Sequence, residues 1–192
     1  MRRKTFDALL TTAGLVLAVV LAVAGGLLAW GSGFVGTQVH DQLAAQKIFF
    51  PAAGSQGLPA NEFPGLQQYG GKQLVTPAQA KAYADQYIAK HIETIGGGKT
   101  YAELSAISRA NPTDTKAAAT VDTVFRGETL RGLLLNAYAF GTIGTIAGYA
   151  AIAAFVGSVL LLVLSVLGFA HLRRTPPDAE LGQAPDREMI TA

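Results

Sequence analysis

Cysteine is absent from this 192-residue chain. The absence excludes disulfide bonds, thiol catalysis and cysteine-ligated metal sites. Extracytoplasmic domains of this size often carry disulfides. A domain of that kind here must be held together by packing, by attachment to membrane helices or by a partner.

Charge is also absent from two long stretches. No charged side chain lies between Arg131 and His171, a run of 39 residues, and none lies between Ala8 and Val35. A hydrocarbon core of about 30 Å is crossed by about 20 apolar residues in a helix. We therefore predict an all-α membrane protein with two transmembrane helices in a helical hairpin and a small helical extracytoplasmic domain between them.

The charge that remains is nearly balanced. The formal net charge is +2, and the region 36–131 holds nine Lys/Arg residues against eight Asp/Glu residues. Nucleic-acid binding needs clustered cations on one face, so we expect no nucleic-acid partner.

The basic residues at the two ends predict the topology. Arg2, Arg3 and Lys4 precede the first apolar run, and Arg173 and Arg174 follow the second. The positive-inside rule then places both termini in the cytoplasm of a multi-pass plasma-membrane protein. The alternative is a cleaved signal peptide with an A-x-A site at residues 22–24, which would leave a single span.

These features predict five segments. They are a cytoplasmic N-terminus (1–5), transmembrane helix 1 (6–32), an extracytoplasmic helical domain with a stalk (33–131), the stalk continuation with transmembrane helix 2 (132–171), and a disordered cytoplasmic tail (172–192).

Small residues recur in both apolar runs and predict where the two helices touch, because lipid offers no hydrophobic drive for helix association and close backbone approach must replace it. In the antiparallel register that we predict, Ala22 faces Ala154 and Gly26 faces Ala150. The full predicted helix-packing set is Ala18, Ala22, Gly26, Gly144, Gly148, Ala150 and Ala154.

The middle region shows clear helix signals. The order Thr76-Pro77-Ala78-Gln79 predicts a capped helix start, and Thr100 with Glu103 predicts a second one. Gly96–Gly98 should end the helix between them. The first long helix should continue outward to Phe49-Phe50-Pro51, where proline stops it.

The uncharged run 132–170 is longer than one span requires, and its first part, 132–144, is the excess. We expect it to project beyond the outer membrane surface, where one neighbouring helix covers only part of it. Leu134, Tyr138 or Phe140 should then remain available to a partner, since exposed apolar patches mark interaction sites.

Candidate catalytic and cofactor sites are weak. Gly96–Thr100 resembles a phosphate-binding loop, but the first glycine of that motif is replaced by Glu93. An iron site would need two histidines and a carboxylate, and His40 and His91 with Asp41 or Glu93 have no spacing that requires this. We predict no catalytic, cofactor-binding or metal-binding residues, and no cofactor.

Three segments, 46–51 (QKIFFP), 97–104 (GGKTYAEL) and 131–144 (RGLLLNAYAFGTIG), resemble a group of short actinobacterial membrane proteins. The resemblance covers residues 40–170 and implies two spans with an extracytoplasmic helical segment; the function of the group is undefined. Some members are labelled aromatic ring-opening dioxygenases, a label for which this chain offers no recognisable iron ligands.

We therefore expect a non-enzymatic membrane accessory or scaffold protein, whose outer helical domain contacts a membrane or envelope complex. Its partners would be the lipid bilayer and a membrane protein. The alternative is a ligand- or lipid-binding membrane sensor with a pocket among Phe49, Phe50, Phe63, Tyr83 and Tyr87.

Overall fold

A computed structural model describes residues 2–176 of the chain. Most of the predicted cytoplasmic tail lies outside these described residues. The helices, in chain order, are α1 (Arg3–Ala45), a 3-10 helix (Pro64–Tyr69), α2 (Pro77–Ala82), a π-helical segment (Tyr83–Ile88), α3 (Ala89–Gly96), α4 (Tyr101–Ala110) and α5 (Thr115–Arg174). The part of the chain that is described contains no strand, which confirms the all-α class.

Two of these helices, α1 with 43 residues and α5 with 60, are long and apolar enough to cross a membrane. Each exceeds the roughly 20 residues that one crossing of a bilayer requires. The coarse prediction of two candidate spans is thus confirmed by length and composition.

The chain divides into two compact units. The first, here the hairpin unit, comprises Met1–Trp30 with Ala147–Ala192, and it pairs the N-terminal part of α1 with the C-terminal part of α5. The second, here the middle unit, comprises Gly31–Ile146 and contains every shorter helix.

The helix starts in the middle unit follow the predicted chemistry. The Thr76 side chain accepts a hydrogen bond from the Gln79 backbone while Gln79 caps the Thr76 backbone, and Thr100 and Glu103 form the same reciprocal pair. Gly97 adopts φ 60° and ends α3 in the left-handed conformation that glycine tolerates best. Both predicted capping boxes are confirmed.

The end of α1 differs from the prediction. The helix stops at Ala45 rather than at Phe50-Pro51, and Lys47 follows with φ 53°. The chain then pairs with a later segment, because the Phe50 N–H donates to the Lys72 carbonyl and the Leu74 N–H donates to the Ile48 carbonyl. The proline therefore lies beyond the helix end and does not cause it.

The core of the middle unit is apolar and joins all its parts. Its buried residues come from both long helices, the loop, α2, the π-helical segment and α3. They are Val39, Leu43, Phe50, Leu58, Phe63, Leu66, Leu74, Ala80, Ala84, Ile88, Ile92, Val124 and Leu134. A core of this breadth holds the segment between α1 and α2 in place, although most of that segment lies outside regular secondary structure.

Candidate binding surfaces

The helix contact of the hairpin unit is built from small and hydroxyl-bearing residues. Ser158 Oγ donates a hydrogen bond of 2.8 Å to the Ala18 carbonyl oxygen. Closer to the chain ends, Thr11 lies against Gly168 and Ser165 lies against Gly14. A side chain on either glycine would collide with the hydroxyl opposite, so glycine is what permits the close approach.

The contact follows a spacing of seven residues. Thr11, Ala18 and Gly25 are buried on one helix, and Ala151, Ser158 and Ser165 are buried on the other. A repeat of four advances about 40° around a helix at each step, whereas alternating steps of three and four stay on one face. Two helices that stay in contact over several turns therefore bury residues at a spacing of seven.

This spacing corrects part of the predicted packing set. Ala18 is 1% exposed and lies in the contact, but Ala22 is exposed, and no atom of the described part of α5 lies within 4 Å of a Cβ on Gly26. Gly25 instead meets the ring of Phe155. On α5, Ala150 is exposed, and Gly148 and Ala154 are half-buried.

Gly144, the remaining member of the set, belongs to the middle unit. It is buried, and a Cβ there would lie 3.0 Å from Val35 Cγ1. It therefore marks a close approach of α1 and α5 within that unit, in line with the predicted continuation of the two helices as a pair.

An open groove of about 570 Å³ lies in the hairpin unit near its chain ends. Its walls are mostly leucine side chains, and its polar groups are Asp7, Thr11, Ser165 and His171. Asp7 Oδ2 lies 3.8 Å from Arg3 Nε and has no hydrogen-bond partner among the described residues. This groove was not predicted from the sequence, in which the ends of the two spans carry no recognisable motif.

The aromatic residues proposed as a sensor pocket form a packed cluster. The Phe50 ring lies 5.2 Å from the Tyr69 ring and 5.1 Å from that of Tyr83, and the Phe63 ring lies 5.5 Å from that of Tyr87. Burial raises the pKa of Tyr83 to about 12. The rings pack against one another, and Phe50 and Phe63 are only 2% and 5% exposed.

Phe49, the fifth residue of the predicted sensor pocket, is 54% exposed. It forms an isolated antiparallel bridge with Gln73 through its backbone. Its side chain therefore lies apart from the buried rings of Phe50 and Phe63.

A second open groove of about 570 Å³ lies in the middle unit between α1 and α5. None of the described residues that line it is ionisable. Its lining residues are Phe34, Val35, Gln38, Val39, Gln42 and Leu43 on α1, Gln46 just after α1, and Leu133, Asn136, Ala137 and Phe140 on α5. The surface is apolar at its base with amide groups along it.

The predicted partner surface is partly corrected by this groove. Leu134 is only 1% exposed and belongs to the core, so it is not available to a partner. Phe140 is 60% exposed, and so is its neighbour in the groove, Leu133, at 59%. Tyr138 is half-buried beneath the Lys81 ammonium, which lies 5.4 Å from its ring centre.

Beside Tyr138, three charged residues form a network. Asp85 pairs with Lys81, and its other oxygen lies 3.6 Å from Arg131. The hydrogen bond from Lys81, together with the nearby positive charge of Arg131, holds the pKa of Asp85 below its usual range. This network joins the π-helical segment to α5.

The three histidines occupy separate environments. His40 pairs with Asp41 at 3.1 Å, His91 Nδ1 lies 2.8 Å from the Tyr87 carbonyl oxygen, and His171 lines the groove of the hairpin unit. Among residues 2–176, no group of three histidine or carboxylate side chains is placed to hold a metal ion.

The glycine run at 96–98 has a structural role in this arrangement. Gly97 and Gly98 both have positive φ, and Thr100 caps α4.

No protein-family model, curated protein or solved structure matches this chain.

Proposed function

We propose that this chain is a two-span integral membrane protein with both termini in the cytoplasm. The most apolar windows of α1 and α5 are only 11% and 17% buried within the protein. A core helix of a water-soluble protein would have its apolar residues covered. Large side chains such as Leu27, at 66% exposure, and Leu160, at 59%, are better accommodated by lipid.

The topology follows from the basic residues at both chain ends. With both ends inside, the middle unit lies outside the cytoplasm. A reporter that is active only outside should work when inserted at 54–57 and fail at Ala192. Peptide sequencing should find Arg2 or Arg3 in the mature protein, and an N-terminus at Gly25 would overturn the two-span topology.

We further propose that the protein is a non-enzymatic accessory or scaffold, and that the groove of the middle unit receives a helix from a membrane or envelope complex. The single observation that carries this is the groove's uncharged lining between two helices. The residues of α1 that line it run from Phe34 to Leu43, which corresponds to roughly 15 Å of helix. Helix-in-groove recognition uses an apolar groove of this kind.

The sensor alternative has less support. Of its five aromatic residues, four have rings that pack together and Phe49 is exposed. None of the five lines the groove of the middle unit, as far as residues 2–176 are concerned. The amide and apolar side chains of the groove neither titrate nor act as nucleophiles, which favours binding over catalysis.

Affinity purification from native membranes in mild detergent tests the scaffold. Replacing Leu133 and Phe140 with Ser should release the co-purifying membrane protein while membrane insertion persists. Ile107→Ser is the matched control, because Ile107 is 41% exposed on α4 and lies away from the groove. Equal retention of the partner by both variants would overturn the docking role of the groove.

A further inference from the structure

We propose that the groove of the hairpin unit binds the headgroup of an anionic phospholipid. This inference rests on the proposed function, since it requires the hairpin to lie in a bilayer. The groove's open volume is about 570 Å³.

The walls and base of the groove differ in chemistry. Leu10, Leu161, Leu164 and Leu167 supply apolar walls that suit acyl chains. Two hydroxyl-bearing residues, Thr11 and Ser165, lie at the base and are only 9% and 3% exposed. Within residues 2–176, neither hydroxyl donates a side-chain hydrogen bond, whereas the Ser158 hydroxyl donates to the Ala18 carbonyl. Both can donate to a phosphate oxygen.

The surrounding charge favours an anion. Five cationic residues stand close in sequence to Asp7 or His171, which line the groove: Arg2, Arg3, Lys4, Arg173 and Arg174. Arg3 reaches the groove, because its Nε lies 3.8 Å from Asp7 Oδ2. Asp7 is the sole carboxylate among the described residues that line the groove, and Arg3 pairs with it. Clusters of Lys and Arg at the cytoplasmic ends of membrane helices attract anionic headgroups.

The leucine walls favour a phospholipid over a free phosphate ion as the ligand. A free phosphate ion would use the hydroxyls and cations but would gain nothing from apolar side chains. A phospholipid places its phosphate at the base and its acyl chains along the leucines, so that both surfaces are used.

Fluorescence quenching by brominated lipids provides the test. Trp30 is the one tryptophan of the chain. Replacing it with Phe and introducing Leu164→Trp places a single indole on the groove wall, at a position that is 62% exposed. The full-length protein is reconstituted in phosphatidylcholine vesicles that contain either brominated phosphatidylglycerol or brominated phosphatidylcholine.

The indole at position 164 should be quenched at lower mole fractions by the brominated phosphatidylglycerol. In the protein with its native Trp30, which does not line the groove, the two brominated lipids should quench alike. Arg3→Gln should reduce the preference by up to about fivefold, the contribution of one cation near an anionic lipid surface. Asp7→Asn should raise it, because the variant removes the opposing negative charge.

The hydroxyls distinguish a built site from general attraction. Thr11→Val with Ser165→Ala should lower the preference for phosphatidylglycerol. Ser158→Ala is the matched control, because that hydroxyl already donates to Ala18, and it should leave the preference unchanged.

Three results would overturn the proposal. Equal quenching at position 164 by both lipids would show that the groove does not select headgroups. Loss of the preference on adding inorganic phosphate at constant ionic strength would identify free phosphate as the ligand. If neither lipid quenches either indole, the hairpin does not lie in the bilayer and the proposed function itself fails.

Discussion

Ser158 and Ala18 are joined by a hydrogen bond from a serine hydroxyl to a backbone carbonyl, 2.8 Å long and 140 residues apart in sequence. The carbonyl already belongs to the helix ladder of α1, so the serine uses its second lone pair. This bond ties α1 to α5 at a point where Ala18 allows the backbones to approach.

The first prediction concerns the register of that contact. Cysteines introduced as Thr11→Cys and Gly168→Cys should cross-link efficiently within one molecule, because the two residues lie against each other. Ala22→Cys with Ala154→Cys should cross-link more slowly, since Ala22 is exposed. Non-reducing electrophoresis measures both, and the native chain has no cysteine that would interfere. Faster reaction of the second pair would contradict the sevenfold spacing.

The second prediction compares two adjacent phenylalanines. Phe50 is 2% exposed and Phe49 is 54% exposed. Phe50→Ala should lower the free energy of unfolding of the middle unit by about 3–5 kcal/mol, the usual cost of emptying a buried aromatic site. Phe49→Ala should cost less than about 1 kcal/mol. Hydrogen exchange of the full-length protein in mild detergent measures both, and equal losses would show that the packed cluster is incorrectly assigned.

The third prediction compares two glycines of α5. A Cβ on Gly141 would collide with the rigid ring of Pro77, whereas no described side chain facing Gly132 lies within 4 Å of a Cβ there. Gly141→Ala should destabilise the middle unit by about 1–3 kcal/mol through overpacking. Gly132→Ala should stabilise it by about 0.5–1 kcal/mol, because alanine is the better helix former. Thermal unfolding followed by circular dichroism should give shifts of opposite sign; shifts of the same sign would contradict the close contact.

The fourth prediction concerns pH. The folded-state pKa of Asp85 is lowered from 3.8, chiefly by the Lys81 hydrogen bond. A lowered pKa gives stability that is fully present above the unfolded value and is lost as pH falls through the folded value. Asp85→Asn should therefore be less stable than the wild type at neutral pH and should approach it below about pH 4.

Asp122→Asn is the control for this pH effect. Asp122 pairs with Arg126 at 2.9 Å, but both side chains are more than half exposed. Such surface pairs contribute about 0–1 kcal/mol. Unfolding of both variants, measured between pH 3 and pH 7 as roughly the range that brackets carboxylate titration, should show pH-dependent convergence with the wild type for Asp85→Asn alone. A parallel loss in both would refute the role of the Lys81–Asp85–Arg131 network.

The local elements of this protein were determined by its sequence. Each capping box, at Thr76 and at Thr100, lies within four consecutive residues, and the length and apolar composition of the uncharged runs can be counted directly in the sequence. Such features depend only on residues that are neighbours along the chain, so they can be predicted from the sequence. The end of α1 at Ala45 was not predicted from the sequence. Ile48 and Phe50 pair with residues 72–74, so the helix ends before Pro51.

The tertiary structure decided which face of each helix is buried. Leu133 and Leu134 are chemically identical neighbours, yet one is 59% exposed in a groove and the other is 1% exposed in the core. The same holds for Ala18 and Ala22 on α1. Nothing in the residues themselves distinguishes the members of each pair. The rotation of one helix against its neighbour does so, and that rotation is set by contacts between residues more than 100 positions apart, such as Ser158 with Ala18.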